Sequence, residues 1–246
     1  MNLKLIAIGE AARKMNVSID TLRRWDKTGR FVAIRKSGKR FYREDDVEDF
    51  IRRIDIATSD IYKIAQEWVL SVKPTELEEI FYCPNSLVFQ SQVMKFEKNL
   101  AQVVGIENTF PLISAIVGEI GNNSFDHNLG SWVDVPGIFF GYDLEKREVV
   151  LADRGQGILK TLKRVRPKLD SDEEALRVAF SEIVSGRAPE ARGNGLKFVK
   201  SVVVNNEIKL LFKTGSAKLN LKKGDRGLDI KKEKDHIQGC IILINF

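Results

Sequence analysis

Apolar residues recur at helical spacing at the start of the chain. In IAIGEAARKM, Ile8, Ala11, Ala12 and Met15 fall on one face. The turn NVS separates this run from SIDTLRRWDKTG, where Ser18 is placed to cap a second helix and Gly29 to end it. Two short helices joined in this way predict a helix-turn-helix. FVAIRKSGKRFYR then reads as two extended runs meeting at Ser37-Gly38, a hairpin with basic residues at its tip, and DDVEDFIRRI begins another helix.

The pattern is harder to read over 56–109. IATSDIYKIAQEWVLSV has helical character, Pro74 and Pro84 interrupt it, and SLVFQSQVMKFEKNLAQVVG suits a helix or a strand followed by one. From 110 onward it sharpens. PLISAIVGEIGNNSFDHN is helical, with a stripe through Leu112, Ile116 and Ile120, and GIFFGYDLEKREVVLADRGQGI gives two strands about a polar turn. DSDEEALRVAFSEIVSG reads as a capped helix, and GNG opens LKFVKSVVVNN. Three apparent strands, EIKLLFKTG, SAKLNLKK and IQGCIILINF, close the chain. These elements predict a two-layer α/β sandwich with a mixed, mostly antiparallel sheet, preceded by a small winged helix-turn-helix domain. The expected divisions are 1–55, a connector and dimerisation region at 56–109, and a final domain at 110–246.

Charge sharpens this division. Residues 1–53 hold 14 Lys or Arg against 8 Asp or Glu, a difference of +6; the remaining 26 of each sign cancel. A basic small domain on a balanced larger one points to a polyanion held by the first. Cys83 and Cys240 form no disulfide pattern, and no signal peptide or run of eighteen apolar residues appears. The expectation is a soluble, cytoplasmic chain with no membrane partner.

The polar chemistry of the second half falls in three clusters. Glu119, Asn123 and His127 are spaced four apart, one stripe of a helix. Asp153 follows the apolar run VVLA at a strand end, where an acceptor-only carboxylate suits an exocyclic amine, and Gly155 and Gly157 let the backbone approach a planar ring. Gly193 and Gly195 stand before a helix whose N-terminus favours phosphate. Asn123 suits a Mg2+ that bridges phosphates, and Glu119 a hydroxyl or water attacking the γ-phosphoryl group. His127 either touches the ligand or buttresses the pocket. Between the second and third clusters, Lys160, Lys163, Arg164, Arg166 and Arg187 suit a solvated face, while Arg192 adjoins the glycines at 193 and 195, where a guanidinium could meet γ-phosphate oxygens.

In order and spacing, EIGNNSFDH, LADRGQGI and ARGNGL resemble the E-x-x-x-N, D-x-G-x-G and G-x-G-L motifs of the GHKL ATPases: gyrase, Hsp90, histidine kinases and MutL. They also resemble the serine kinases that act as anti-sigma factors. The resemblance covers about 110–246 and implies the Bergerat-type ATP-binding fold, with ATP and Mg2+ as cofactors. It implies Glu119 as general base, Asn123 as metal ligand and Asp153 on the adenine amine. Gly155 and Gly157 then shape the ring pocket, Gly193 and Gly195, followed by Leu196 of the motif, lie in the phosphate loop, and 158–192 form a flexible lid. Two departures stand out. No histidine lies ahead of this portion to accept phosphate, and Cys240 occupies the place where HIQGCIILINF would carry threonine after its glycine.

The first 53 residues resemble the winged helix-turn-helix of the MerR and excisionase groups, on IGEAARKMNVSIDTLRRWDKTGRF and RKSGKRFYREDDVEDFI. Ser18, Thr21, Arg23 and Arg24 are expected toward the major groove, and Arg35, Lys36, Lys39 and Arg40 against phosphates. No sustained heptads follow, unlike the effector-sensing MerR proteins. The leading expectation is an ATP-binding, DNA-binding regulator, a homodimer, in which Mg-ATP reorders the lid and alters engagement of DNA or of a regulatory protein partner. The alternatives are a protein serine/threonine kinase, and a repressor or architectural protein on a passive scaffold.

Overall fold

The computed structural model describes residues 4–15, 17–29, 31–47, 50, 60–182 and 194–246, in two compact units, Met1–Asp60 and Ile61–Phe246.

In the first unit, β1 (Leu5–Ala7) runs directly into α1 (Ile8–Lys14), followed by α2 (Ile19–Thr28), β2 (Ile34–Lys36) and β3 (Lys39–Arg43). The first helix therefore starts later than its periodicity suggests, because Leu5–Ala7 pairs with Phe41–Arg43. The sheet runs β1-β3-β2, all antiparallel. Ser18 caps α2 by accepting from the Thr21 N–H at 2.9 Å, and Gly29 ends it in the left-handed conformation. Ser37 and Gly38 both have positive φ, the type I′ geometry that matches strand twist in a two-residue hairpin. Ile6, Leu22, Trp25, Tyr42 and Val47 fill the core, with Phe31 stacked on Tyr42.

Asp26 holds the wing to α2. The register sets Arg35 opposite Arg40, a like-charge pair that disfavours the hairpin by itself. The buried Asp26 carboxylate accepts from Arg40 Nε at 2.7 Å, Arg35 Nη2 at 3.1 Å and the Ala33 N–H at 3.0 Å. The Arg40 hydrogen bond first, then that of Ala33, hold its pKa below the usual carboxylate value.

The second unit begins with α3 (Ile61–Leu70), β4 (Tyr82–Cys83), α4 (Ser86–Leu100) and α5 (Phe110–Asn128). It continues with β5 (Ile138–Asp143), β6 (Glu148–Asp153), α6 (Gly157–Lys163), α7 (Asp172–Ser181), α8 (Gly195–Asn205), β7 (Lys209–Leu221) and β8 (Asp229–Asn245). The sheet order is β4-β5-β6-β8-β7, and every neighbouring pair is antiparallel. The α/β class is as expected, with no parallel pair among the described residues.

Strand alternation gives the sheet two apolar faces. Phe140, Val149, Leu151, Phe212 and Ile242 meet α4, α5, α7 and α8 on one side. Phe139, Val150, Ala152 and Ile241 meet Ile61, Ala65, Trp68 and Val69 of α3 on the other. The structure therefore corrects the separation of 56–109 as a connector: from Ile61 onward that stretch belongs to the larger unit. Part of the segment expected as a lid packs into the unit. Leu176 and Phe180 of α7 lie in the main core, and Leu162, Leu169, Ala175 and Val178 form a satellite cluster. The rest of the expected lid, 183–192, lies outside the described residues.

Two of the three expected C-terminal strands are one. β7 runs through a register irregularity at Thr214–Ala217, where the Ser216 N–H donates to Asp172 Oδ2 of α7 at 2.8 Å. β6 pairs with β8 only from Asn245 to Cys240, so β7 and β8 continue as a two-stranded ribbon to Asn220 and Asp229.

The Asp26 contacts give a stability prediction. Asp26→Asn should cost the full-length protein about 1–3 kcal/mol at neutral pH, because two guanidinium groups lose their anion. A depressed folded pKa contributes stability above the unfolded value, and that stability is lost as pH falls through the folded one. The gap between wild type and variant, measured by denaturant titration across pH, should be full above about pH 4 and close below it.

Candidate functional site

Helix α5 presents two neighbouring polar stripes, Glu119, Asn123 and His127 on one and Ser124 and Asn128 on the next, because residues four apart stack along a helix. Between α5, the end of β6, α6 and the start of α8 lies a cavity of about 290 Å3. Glu119, Asn123, His127, Asp153, Gly157, Gly195 and Leu196 all line it. Arg192 and Gly193, also expected beside the phosphates, lie outside the described residues.

At one end, Asn123 Nδ2 donates to Glu119 Oε1 at 3.2 Å. With its nitrogen engaged, the amide keeps its carbonyl oxygen for a cation. Gly195 opens α8 against this pair. A Cβ at Gly195 would lie 1.8 Å from Glu119 Oε1 and 3.1 Å from Asn123 Nδ2, so the helix N-terminus reaches the carboxylate only because the residue is glycine. The first N–H groups of α8 have no partners within the helix, and they are set beside Glu119.

At the other end Asp153 is buried. Ser124 Oγ donates to its Oδ2 at 2.8 Å, while the Gly155 N–H at 2.9 Å and Asn128 Nδ2 at 3.5 Å donate to Oδ1. Desolvation outweighs these bonds and pushes its pKa up to about 6. Ser124 and Asn128 were not expected as site residues. Their signal was available in the sequence, since they sit one position after Asn123 and His127 on the same helix.

The two expected ring-pocket glycines divide. Gly157, at φ +73, lines the cavity. Gly155 is not in the lining: a Cβ there would fall 2.2 Å from Asn128 Nδ2, so its missing side chain seats Asn128. Asn128 Oδ1 in turn accepts from the Gln156 N–H at 3.0 Å. His127 is largely enclosed, and burial first, then the Arg164 charge, lowers its pKa, which keeps the ring neutral. Its carbonyl accepts from Gln156 Nε2, tying α5 to the glycine turn.

Cys240 lines the cavity beside Thr214, its cross-strand partner. The Thr214 hydroxyl donates to the Gly239 carbonyl at 3.1 Å and accepts from the Ile158 N–H at 3.2 Å. The threonine absent from position 240 thus has a hydroxyl counterpart on the adjacent strand, with the Cys240 sulfur 3.5 Å away.

Arg154 was also missed. It is fully buried on the face opposite the cavity, following the alternation of the strand. Its guanidinium donates to Asp134, bidentately through Nε and Nη2, and to the carbonyls of Trp68 and Ser71, and it lies 5.9 Å from the Trp68 ring centroid. α3 is thereby fastened to the residue next to Asp153.

In the small unit, Ser18, Arg23, Arg24, Arg35, Lys36 and Lys39 are exposed and Arg40 is half-buried. Thr21 is buried, with its hydroxyl 2.8 Å from that of Ser18 at the helix start. Arg23 pairs with Asp20 at 2.8 Å. Arg35 and Arg40 are shared with Asp26, which leaves Lys36 and Lys39 as the cations at the wing tip.

Residues 8–42, which span both helices and most of the wing, match the family described as MerR family regulatory protein. The chain is also similar to the 43K ATPase domain of Thermus thermophilus gyrase B, solved in complex with an aminocoumarin, at 15% identity and a TM-score of 0.33. That match covers 62% of this chain and 40% of the other, and so loose a superposition bears no weight. No curated protein matches the chain. No helix among the described residues is long and apolar enough to cross a membrane.

The Arg154 contacts make a second prediction. Arg154→Met leaves the carbonyls of Trp68 and Ser71 and the Asp134 carboxylate without their donor, and should destabilise the protein by about 3 kcal/mol in denaturant titration. Lysine, a single point donor, should restore only part of the loss.

Proposed function

We propose that the chain is a DNA-binding, Mg-ATP-binding regulatory protein, with DNA held by the small unit and nucleotide by the cavity of the large one. The observation that carries the nucleotide reading is the convergence of an acid, an amide and a helix N-terminus at one end of a single cavity, with a buried carboxylate at the other.

The residues suit the ligand. An adenine amine needs an acceptor, which the ionised Asp153 supplies, held in place by Ser124 and Asn128. Phosphates need donors, and the free N–H groups of α8 offer them, approached closely because Gly195 has no Cβ. The Asn123 carbonyl oxygen and the phosphates together suit Mg2+. When bound, Mg-ATP supplies an activated phosphoanhydride and a cation that offsets its charge. Among the described residues Glu119 and Asp126 are the carboxylates at the Asn123 end, and in this reading Glu119, bonded to Asn123, orients or deprotonates the attacking hydroxyl or water. Its bond to Asn123 holds it as an acceptor, which suits slow turnover.

The DNA reading is supported by the MerR match, the exposed Arg23 and Arg24 on α2, and the basic wing. Nucleotide occupancy is proposed to alter how the protein engages DNA, and a symmetric dimer would read two half-sites.

Calorimetric titration with ATP tests the first half. Asn123→Ala should remove the effect of Mg2+ on affinity while leaving metal-free binding. Wild-type affinity should rise with pH through about 6 as Asp153 ionises, and Asp153→Asn should lose that component of the profile. Absence of ATP binding by the wild type would end the nucleotide reading. For DNA, Lys36→Glu with Lys39→Glu should weaken binding to duplexes of any sequence and lower the slope of log affinity against log salt by about 2. An unchanged slope would remove the wing from the interface.

A further inference from the structure

We propose that the β7–β8 ribbon, where its base and its tip line one cavity, is a docking site for an extended peptide segment that alternates acidic and apolar residues, added as a strand to the free edge of β7. A second cavity, of about 620 Å3, lies there. Its lining includes two runs of consecutive residues, Lys209–Leu211 and Asn220–Lys222, from the two ends of the same strand. Asp229, Leu243 and Asn245 of β8 line it as well, so the ribbon bends until its two ends face a common space. The register irregularity at Thr214–Ala217 supplies the bend. β7 is the last strand of the sheet, and among the described residues no strand pairs with its outer side. An unpaired edge of this kind carries a row of main-chain donors and acceptors.

Charge and apolar surface decide the occupant. Lys209, Lys222 and Arg226 line the cavity, and none has a carboxylate partner among the described residues. The two acids there are engaged: Asp225 Oδ2 accepts from the Lys222 N–H at 2.9 Å, and Asp229 Oδ2 sits 3.3 Å from Lys231 Nζ. Three cations against these two acids, one of which is paired with Lys231, leave the lining net positive. Leu211 and Leu243, cross-strand partners, give the same cavity an apolar floor. A small phosphorylated ligand would use the cations but neither the leucines nor the open edge. An acidic, apolar strand uses all three, in the manner of edge-strand recognition, where main-chain bonds give affinity and alternate side chains give specificity.

The test uses the full-length protein and a fluorescein-labelled peptide of roughly ten residues, the length of a long strand, alternating Glu and Val. Fluorescence anisotropy should show saturable binding that weakens with salt. Lys222→Glu with Arg226→Glu should raise the Kd at least about tenfold. Lys36→Glu with Lys39→Glu, on the small unit, should leave it unchanged, and circular dichroism should show both double variants folded. The same peptide with Lys for Glu should not bind, and one with a central proline should bind at least about tenfold more weakly, because proline cannot donate to a ladder. Three results would overturn the proposal: no binding to the wild type, equal binding by the Lys222/Arg226 variant, or equal binding of the proline peptide. In the last case, displacement of both peptides by inorganic pyrophosphate at constant ionic strength would assign the cations to a small anion instead.

Discussion

The larger unit depends on two opposite charges buried side by side at the end of one strand. Asp153 turns toward α5 and Arg154 toward α3, because successive residues of a strand face opposite ways. Neither charge could leave water without compensation. The carboxylate gathers Ser124, Asn128 and the Gly155 N–H, and the guanidinium gathers Asp134 and the carbonyls at the end of α3. One dipeptide thus organises both faces of the sheet, and the cavity and the helix behind it cannot be arranged independently.

The compensation is unequal, and the inequality is chemically useful. Arg154 has its Asp134 counter-ion, while Asp153 has only neutral donors and carries a raised pKa in consequence. A carboxylate left short of charge partners is one that a ligand's donor can still satisfy. Glu119 and Asn123, by contrast, satisfy one another in part at the cavity's polar end.

Much of this was legible in the sequence, for reasons that can be traced to residues. The spacing of Glu119, Asn123 and His127 fixed one helical stripe, and the apolar VVLA before Asp153 marked a strand end. Ser124 and Asn128 were legible only as a second polar stripe beside that one, and what they and Arg154 hold was not, because each depends on a partner 25 to 86 positions away in the chain. Gly155 shows the same limit: a glycine is visible in the sequence, but what occupies its empty side is not. The stretch from Ile61 to Thr109 read as a connector because β4 is two residues long and prolines broke the periodicity, although burial of Trp68 and Phe89 makes it part of the core. The bend in β7 read as a gap between strands, since a bulge and a turn share the same small residues.

The paired stripes of α5 also constrain how this protein can change. An α-helix advances about 100° per residue, so one residue inserted between Ile120 and Asn123 would rotate the rest of the helix by that angle. Asn123 would then swing out of line with Glu119 while Ser124 and Asn128 left Asp153, disabling both ends of the cavity in a single event. Substitution can tune this helix position by position, but a change of length within it is forbidden, so variation in length has to be absorbed before Phe110 or after Asn128.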